Sequence, residues 1–490
     1  MSAIAVNQLD RCSDSPWSGT RVRGQHLAQN WIVMKKDVSV GPRSEDGAGL
    51  RIVVQNGEYW MRNNGDLAML EVTVGRLRQR WPRAVISVLT SAPSLLSAYV
   101  PGVEPISDGR FSSVVRPIWT LSAWLGPATV GPLSVGWLHA RKSLSERLRG
   151  NRLRGAGRSV PDPPVEPGSA PSPGDLTDAD LPVHPDVAAA VGAASLVLVI
   201  GGGYVCDVDP AQAARTFGVL AAAATHGVPA AMVGQGLGPL ADPTLMAHAA
   251  RVLPGVDLIA LREGRKGPAL LDELGVAAER VVVTGDDAIE LADSVRRAET
   301  GEGIGICLRV AEYSPVGARA VTVVGASVRA VAREHGAPLV PLIISEYRAE
   351  DRRSTLPLIE GADRAVPPLG PFVSARDVAA RVSRCRVVVT GAYHLAVFAL
   401  AQGIPVVGLT ASAYYDDKFL GLRDMFGGGL EVVHLDAPDL DTRLRPAIRE
   451  AWDSAPDLRE PLRAQAQIQI ASSRATLDRI LSRVESHSLR

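Results

Sequence analysis

Cysteine is scarce in this chain: Cys12, Cys206, Cys307 and Cys385 stand far apart and match neither a CxxC nor a zinc-ligand spacing. That argues against a disulfide framework and a cysteine metal centre. Reduced thiols are expected, with a cytoplasmic location and no required protein-bound metal. Lysine is scarce too. Lys35, Lys36, Lys142, Lys266 and Lys418 are the whole set, leaving arginine 47 of the 52 basic residues. Charge of one sign is not in excess, since 52 acidic residues balance them, so no global attraction to nucleic acid is indicated and none is expected as a partner. No run of about 20 apolar residues reads as a membrane span. The first residues lack a basic n-region followed by an apolar core, so no signal peptide is expected. No repeat of the solenoid kind is visible.

What is present is enough for more than one core. The 490 residues exceed the roughly 250–300 at which a single core stops growing. Residues 1–48 are polar and aperiodic and read as a disordered lead-in. Order begins with the strand LRIVVQN (50–56), a helical GDLAMLEVTVGRLRQRW (65–81) and the strand AVISVLT (84–90). After an interruption the rhythm resumes with SLVLVIGGG (195–203), AAMVGQG (230–236), DLIALRE (257–263) and RVVVTGD (280–286). A second set comprises GIGICLRV (303–310), PLVPLII (338–344), RVVVTGA (386–392), PVVGLT (405–410) and EVVHL (431–435). Near-continuous apolar strands alternating with helices predict parallel sheets covered on both faces. The expected fold is therefore α/β, with two Rossmann-like domains facing across a cleft. They span 49–292 and 303–455, with a hinge near 293–302 and a helical tail at 456–490.

The interruption at 110–186 has three parts. The first, residues 111–140, carries Trp119, Trp124 and Trp137 and a single charged side chain, Arg116. A basic run follows: Arg141, Lys142, Arg147, Arg149, Arg152, Arg154 and Arg158 against Glu146. Eight prolines then occur from Pro161 to Pro185, as in a flexible insertion. Two readings stand for 111–158. It is a peripheral membrane or lipid-acceptor contact, with interfacial tryptophans and headgroup-binding arginines; or it is a hydrophobic insertion packed on the first domain, followed by a solvated basic helix.

Ligands of parallel sheets gather at the carboxyl ends of strands, and the informative residues cluster there. In NNGD (63–66), Asn64 or Asp66 caps the next helix or binds a ligand. In GGGYVCD (201–207), Gly202 and Gly203 either let a ligand approach the backbone or make a tight turn; Gly236 in GQGLGP (234–239) repeats that choice. Arg262 ends a strand, where its fork suits a carboxylate or phosphate, or else pairs with Glu263 or Asp286. Asp286 and Asp287 offer a base, or serve capping and domain closure. His394, in the turn before an Ala-rich helix, suits proton transfer near neutrality, with a structural role as the alternative. Lys418 lies beyond the next strand end and reads as an anion ligand or a solvated helix lysine.

The ordered set NNGDLAML, VIGGG with the following Asp207, VGQGLGPL, ALRE, TGDDA, TGAYHLAVFALAQGIPVVGL and DDKFLGL resembles the polysaccharide pyruvyl transferase family. The resemblance covers about 50–110 and 190–430. It implies a fold similar to the GT-B arrangement and transfer of a pyruvyl group from phosphoenolpyruvate to hydroxyls of a saccharide or glycolipid as a ketal. On this reading His394 is the acid/base, with Asp286 beside it. Arg262, Arg309 and Lys418 hold the donor, helped by amides at Gly202, Gly203 and Gly236, and Asn64, Asp66 and Asp207 face the acceptor or cleft. The family pattern Arg-x-His before the Ala-rich helix is met only in part, because Ala392 stands where the arginine is usual. A GT-B nucleotide-sugar enzyme using Asp286 or Asp287 as base is the alternative, and a non-catalytic paralogue is a third.

Overall fold

The computed structural model describes residues 46–57, 59–106, 116–133, 181, 183–310, 316–347 and 350–488. The expected lead-in therefore lies, up to residue 45, outside the described residues. So do the basic run and most of the proline-rich stretch.

Every strand expected from an apolar run is present, in two wholly parallel sheets. The first contains β1 (Arg51–Gln55), β2 (Val85–Leu89), β3 (Glu104–Ile106), β4 (Leu196–Val199), β5 (Gly202–Val205), β6 (Ala230–Leu237), β7 (Leu258–Leu261) and β8 (Val281–Val283). Its order is β3-β2-β1-β4-β6-β7-β8, and β5 continues the line of β4 by pairing with the far half of β6. The run 195–203, expected as one strand, is thus broken after Val199. The second sheet contains β9 (Gly303–Cys307), β10 (Leu339–Pro341), β11 (Cys385–Thr390), β12 (Val406–Thr410) and β13 (Leu430–His434), in the order β10-β9-β11-β12-β13. Each order reverses once, between β1 and β4 and between β9 and β11. Such switch points leave a crevice at the carboxyl ends of the strands.

Side-chain alternation explains why the strands are apolar throughout. Ile52 and Val54 of β1 face a core that continues into the second sheet through Val388, whereas Val53 faces a separate core around Phe217. In the second sheet, Val387 and Val389 point to a third core against the helix Ala318–Glu334. With both faces covered, neither can be polar. The shared first core includes residues of the helices Asn64–Arg80, Ala288–Ser294, Ala375–Val382 and Tyr393–Ala401, which meet between the sheets.

Helix starts follow capping chemistry. Asn63 accepts a hydrogen bond from the Gly65 amide at 3.0 Å, Asp209 from Gln212 at 3.1 Å and Asp242 from Leu245 at 2.9 Å. The expected cap at Asn64 or Asp66 is corrected by one to three places: Asn63 does that work, which releases Asp66 for another role. The helix Tyr393–Ala401 is different, since Ala392 stands at its cap position without a side-chain bond.

The chain closes with one helix, Leu440–Ser488. Its beginning packs on the second sheet's layer, where Arg449 pairs with Glu334. Its end reaches the first: Glu485 accepts from the Trp81 indole at 2.9 Å and pairs with Arg80. The stretch expected as a tail is, up to residue 488, the last two thirds of this helix. No helix among the described residues is long and apolar enough to cross a membrane.

Candidate active site

The loops after β1, β5, β7, β9 and β11 converge between the sheets on a cavity of about 360 Å³. Its lining includes Asp66, Gly203, Arg262, Arg309, Ala392, His394 and Lys418. Residues expected from five separate sequence motifs are thus brought to one place.

Arg262 leaves the end of β7 fully enclosed. Its Nη1 lies 3.6 Å from Asp286 Oδ2, and its guanidinium carbon sits 4.1 Å from the centre of the Tyr393 ring. A carboxylate on one side and an aromatic face on the other hold the fork in place. Arg262 thus lines the cavity and also has Asp286 as a neighbour. Glu263 turns elsewhere and accepts from the Arg265 amide at 2.7 Å.

The glycines make room for side chains. A Cβ on Gly236 would come 2.7 Å from Arg262 Nε, and one on Gly203 would come 2.5 Å from Lys418 Nζ and 3.0 Å from Arg262 Nη2. Gly202, at a φ of 151°, lies against the Tyr204 ring. Glycine at 203 and 236 lets two cations approach the sheet edge.

Lys418 occupies the second turn of the helix Ala413–Phe426, its ammonium 3.8 Å from the centre of the Tyr414 ring. The Tyr414 hydroxyl donates to the Gly203 carbonyl at 2.8 Å, tying this helix to the opposite sheet. Arg309 makes a two-pronged pair with Asp351, at 2.6 and 3.0 Å. Asp351 also accepts the amides of Ile344 and Ser345 at 3.1 and 2.7 Å. Arg309 therefore reaches the cavity with its own counter-ion attached.

His394 is the second residue of its helix, with Nε2 3.6 Å from Asp286 Oδ2, beyond hydrogen-bond range. Burial, and then the charges of Arg262, Lys418 and Arg309, hold its pKa well below the ordinary 6.5. The expectation that it titrates near neutrality is corrected: these surroundings disfavour the imidazolium. Other groups occupy that range. Burial pushes the Asp66 carboxyl up to about 7 against the pull of Arg262. It pushes Asp286 up to about 6, again opposed by Arg262. Burial, reinforced by Arg262, brings Lys418 down to about 7.

Three expected residues are used elsewhere. The Asn64 amide donates to Ile344 O at 2.8 Å and its side chain is buried outside the cavity lining. Asp207 accepts the amides of Ala241 and Asp242 at 2.7 and 3.1 Å, fixing a turn. Asp287 pairs with Arg76 at 2.9 Å and bonds Ser473, on the side of the closing helix. Sequence reading missed Tyr393, Tyr414, Tyr415, Ser345, Tyr347 and Glu350, all of which line the cavity. The AYYDDK stretch carried a signal for two of them, a tyrosine pair one turn before a rare lysine. Among the described residues, no group of three or more His, Cys, Asp or Glu side chains is placed to hold a metal ion.

Similarity to known proteins agrees with this layout. The solved structure of a UDP-N-acetylglucosamine 2-epimerase is 12% identical, with a TM-score of 0.51 over 90% of this chain and 96% of that one. The UDP-GlcNAc 2-epimerase of Methanocaldococcus jannaschii is 10% identical, with a TM-score of 0.50 over 88% and 99%. At such identities the likeness establishes the fold, which is GT-B-like. No curated protein matches the sequence. The family model described as polysaccharide pyruvyl transferase matches residues 63–412, from the Asn63 cap to the Ser412 cap. By that match, over most of its length, the chain belongs to the polysaccharide pyruvyl transferase family.

Proposed function

We propose that this protein transfers the pyruvyl group of phosphoenolpyruvate to two hydroxyls of a saccharide, forming a ketal. The observation that carries the reading is the meeting, in one cavity, of Arg262 and Lys418 with Asp66, a carboxyl of pKa about 7. A carboxylate–phosphate donor needs fixed cations, and protonating its methylene carbon needs an acid that is still loaded near neutrality.

Arg262 offers a planar fork to carboxylate or phosphate, and Lys418 a point charge. Because Arg262 is buried and Lys418 half-buried in the cavity wall, their attraction for an anion exceeds what the same groups give in water. Asp66 delivers its proton to C3 of the enol ether, and C2 takes on oxocarbenium character. A saccharide hydroxyl adds to C2, its proton passing to neutral His394. The C2–O bond to phosphate then breaks with its electron pair. A neighbouring hydroxyl adds at C2 and its proton leaves with the phosphate. Two hydroxyl protons are lost and one carbon and one phosphate oxygen gain one each; the proton held by His394 returns to Asp66, which restores both groups for the next turnover. This reading moves the acid from His394, where sequence placed it, to Asp66, and keeps the imidazole as base. Ala392 removes one guanidinium, and Arg262, stacked on the next residue, Tyr393, supplies one from the facing sheet.

A thermal-shift series tests it. A ligand specific to the folded state adds about 2.7 kcal/mol at a hundredfold excess over its dissociation constant. Phosphoenolpyruvate should raise the melting temperature, and Arg262→Ala should abolish most of that rise. A response to uridine or guanosine nucleotides with none to phosphoenolpyruvate would transfer the site to nucleotide-sugar chemistry.

A further inference from the structure

Helix Arg116–Leu125 packs on helix Pro93–Tyr99, and Gly126 turns the chain into a further helical segment at 127–133. That segment is anchored from below: Val130 is buried, and a Cβ on Gly131 would meet the Phe372 ring at 2.2 Å. The outward side is apolar. Trp124 is 82% exposed, Leu133 66% and Leu121 54%, and Leu125 is exposed beside them. These four are most of the large apolar side chains exposed among the described residues, the others being Val208, Val283 and Ile468. Concentrating them on one short stretch marks a contact surface rather than the scatter any protein shows.

The surrounding chemistry says what kind of surface it meets. No acidic residue occurs from Phe111 to Ser145, and the next stretch in sequence, outside the described residues, has seven basic residues against one acid between Arg141 and Arg158. Because the whole chain is neutral, this excess is local. An apolar ridge carrying an exposed tryptophan and followed by a basic run matches the two components of an anionic lipid surface, acyl boundary and headgroup charge. A protein partner would also cover an apolar ridge. It would not call for an uninterrupted lack of acids.

We propose that Leu121, Trp124, Leu125 and Leu133 form a peripheral docking ridge for anionic lipid bilayers, distinct from the catalytic cavity. The ridge inserts shallowly, at the level of the headgroups.

Flotation of the full-length protein with phosphatidylcholine vesicles, with and without phosphatidylglycerol, tests this at low and high salt. The expected result is binding to phosphatidylglycerol vesicles at low salt, weakened by salt and by removing phosphatidylglycerol. Leu121→Ser with Trp124→Ser should lower bound protein severalfold while leaving the melting temperature in place, because both side chains are exposed. Failure to float at low salt would overturn the proposal, and so would flotation unaffected by the Leu121/Trp124 variant. Light scattering supplies the other overturning outcome: a dimer that dissociates in that variant, without vesicle binding, would assign the ridge to a second copy of the chain.

Discussion

His394 and Gly65 touch across the cleft: a Cβ added to Gly65 would fall 2.1 Å from the imidazole Cγ and Nδ1. The glycine of the NNGD motif is therefore a seat for the histidine of the facing sheet. Gly65→Ala should push the imidazole away from Asp286 and lower turnover on the order of 100-fold, the lower range for losing a general acid or base. Alanine is otherwise the better helix former by up to about 1 kcal/mol, so melting should change little. Assays of turnover and melting on one preparation check this. A variant of unaltered activity would show that His394 need not stand where it does.

The Arg309–Asp351 pair is the enclosed ion pair of the second sheet, and Asp351 also holds the Ile344 and Ser345 amides. Asp351→Ala takes the two-pronged carboxylate from a buried guanidinium and from two amides, and should cost about 3–5 kcal/mol in urea unfolding. Adding Arg309→Met should recover part of that loss, since one buried charge is gone. Equal stability of the single and double variants would show that the amide contacts, not the charge, carry the energy.

Asp66 and Lys418 make stability depend on pH in opposite senses. Asp66, raised from 3.8 to about 7, binds more protons folded than unfolded, so its contribution falls as pH rises from 3.8 to 7. Lys418, lowered from 10.5 to about 7, binds fewer protons folded, so its contribution rises from pH 7 to 10.5. Together they penalise the fold most near pH 7. The double variant Asp66→Asn, Lys418→Met should gain stability over wild type at every pH between these limits, with the largest gain near neutrality. Denaturation profiles across this range measure it, and a gain that rises or falls steadily would refute the pairing.

Binding of a multiply charged anion should draw protons in. Negative charge beside Lys418, Asp66 and His394 favours the protonated form of each, so all three shift upward. Calorimetry of phosphoenolpyruvate binding near neutral pH, in buffers of different ionisation enthalpy, should therefore report net proton uptake. Arg262→Lys should weaken the binding while leaving the uptake in place. Proton release would place the donor away from these groups.

Much of this was legible in sequence because parallel sheets write themselves as apolar runs. Val197, Val388 and their neighbours are apolar on both faces, and the strand ends that carry Arg262 and His394 follow from where those runs stop. The three-residue β3 has too little of such a run to stand out. The second shortfall lies in contacts that cross the cleft. Nothing adjacent to Gly203 in sequence announces that Lys418 needs its space, and nothing near Tyr393 announces that Arg262 will lie on its ring. Asp207 and Asp66 both follow a glycine-rich or capping motif, yet one spends its oxygens on a turn and the other stays available. Local spacing does not distinguish them. His394 shows the same limit in electrostatics, since its three depressing charges come from three distant segments.

The helix Leu440–Ser488 has a mechanical consequence. Near its middle, Arg459 and Arg463 donate to the carbonyl of Arg297, and Arg459 also to Ala298 and Thr300, all in the segment joining the two sheets. With its beginning anchored beside Glu334 and its end beside Trp81, the helix is a strut laid alongside a hinge and bolted to it. Widening the cleft must bend the strut itself. Pro456 and Pro461, each removing an intrahelical hydrogen bond, put the compliant point next to the bolts. The span between the arginine of one sheet and the histidine of the other is then governed by the stiffness of about one and a half helical turns, far from any substrate.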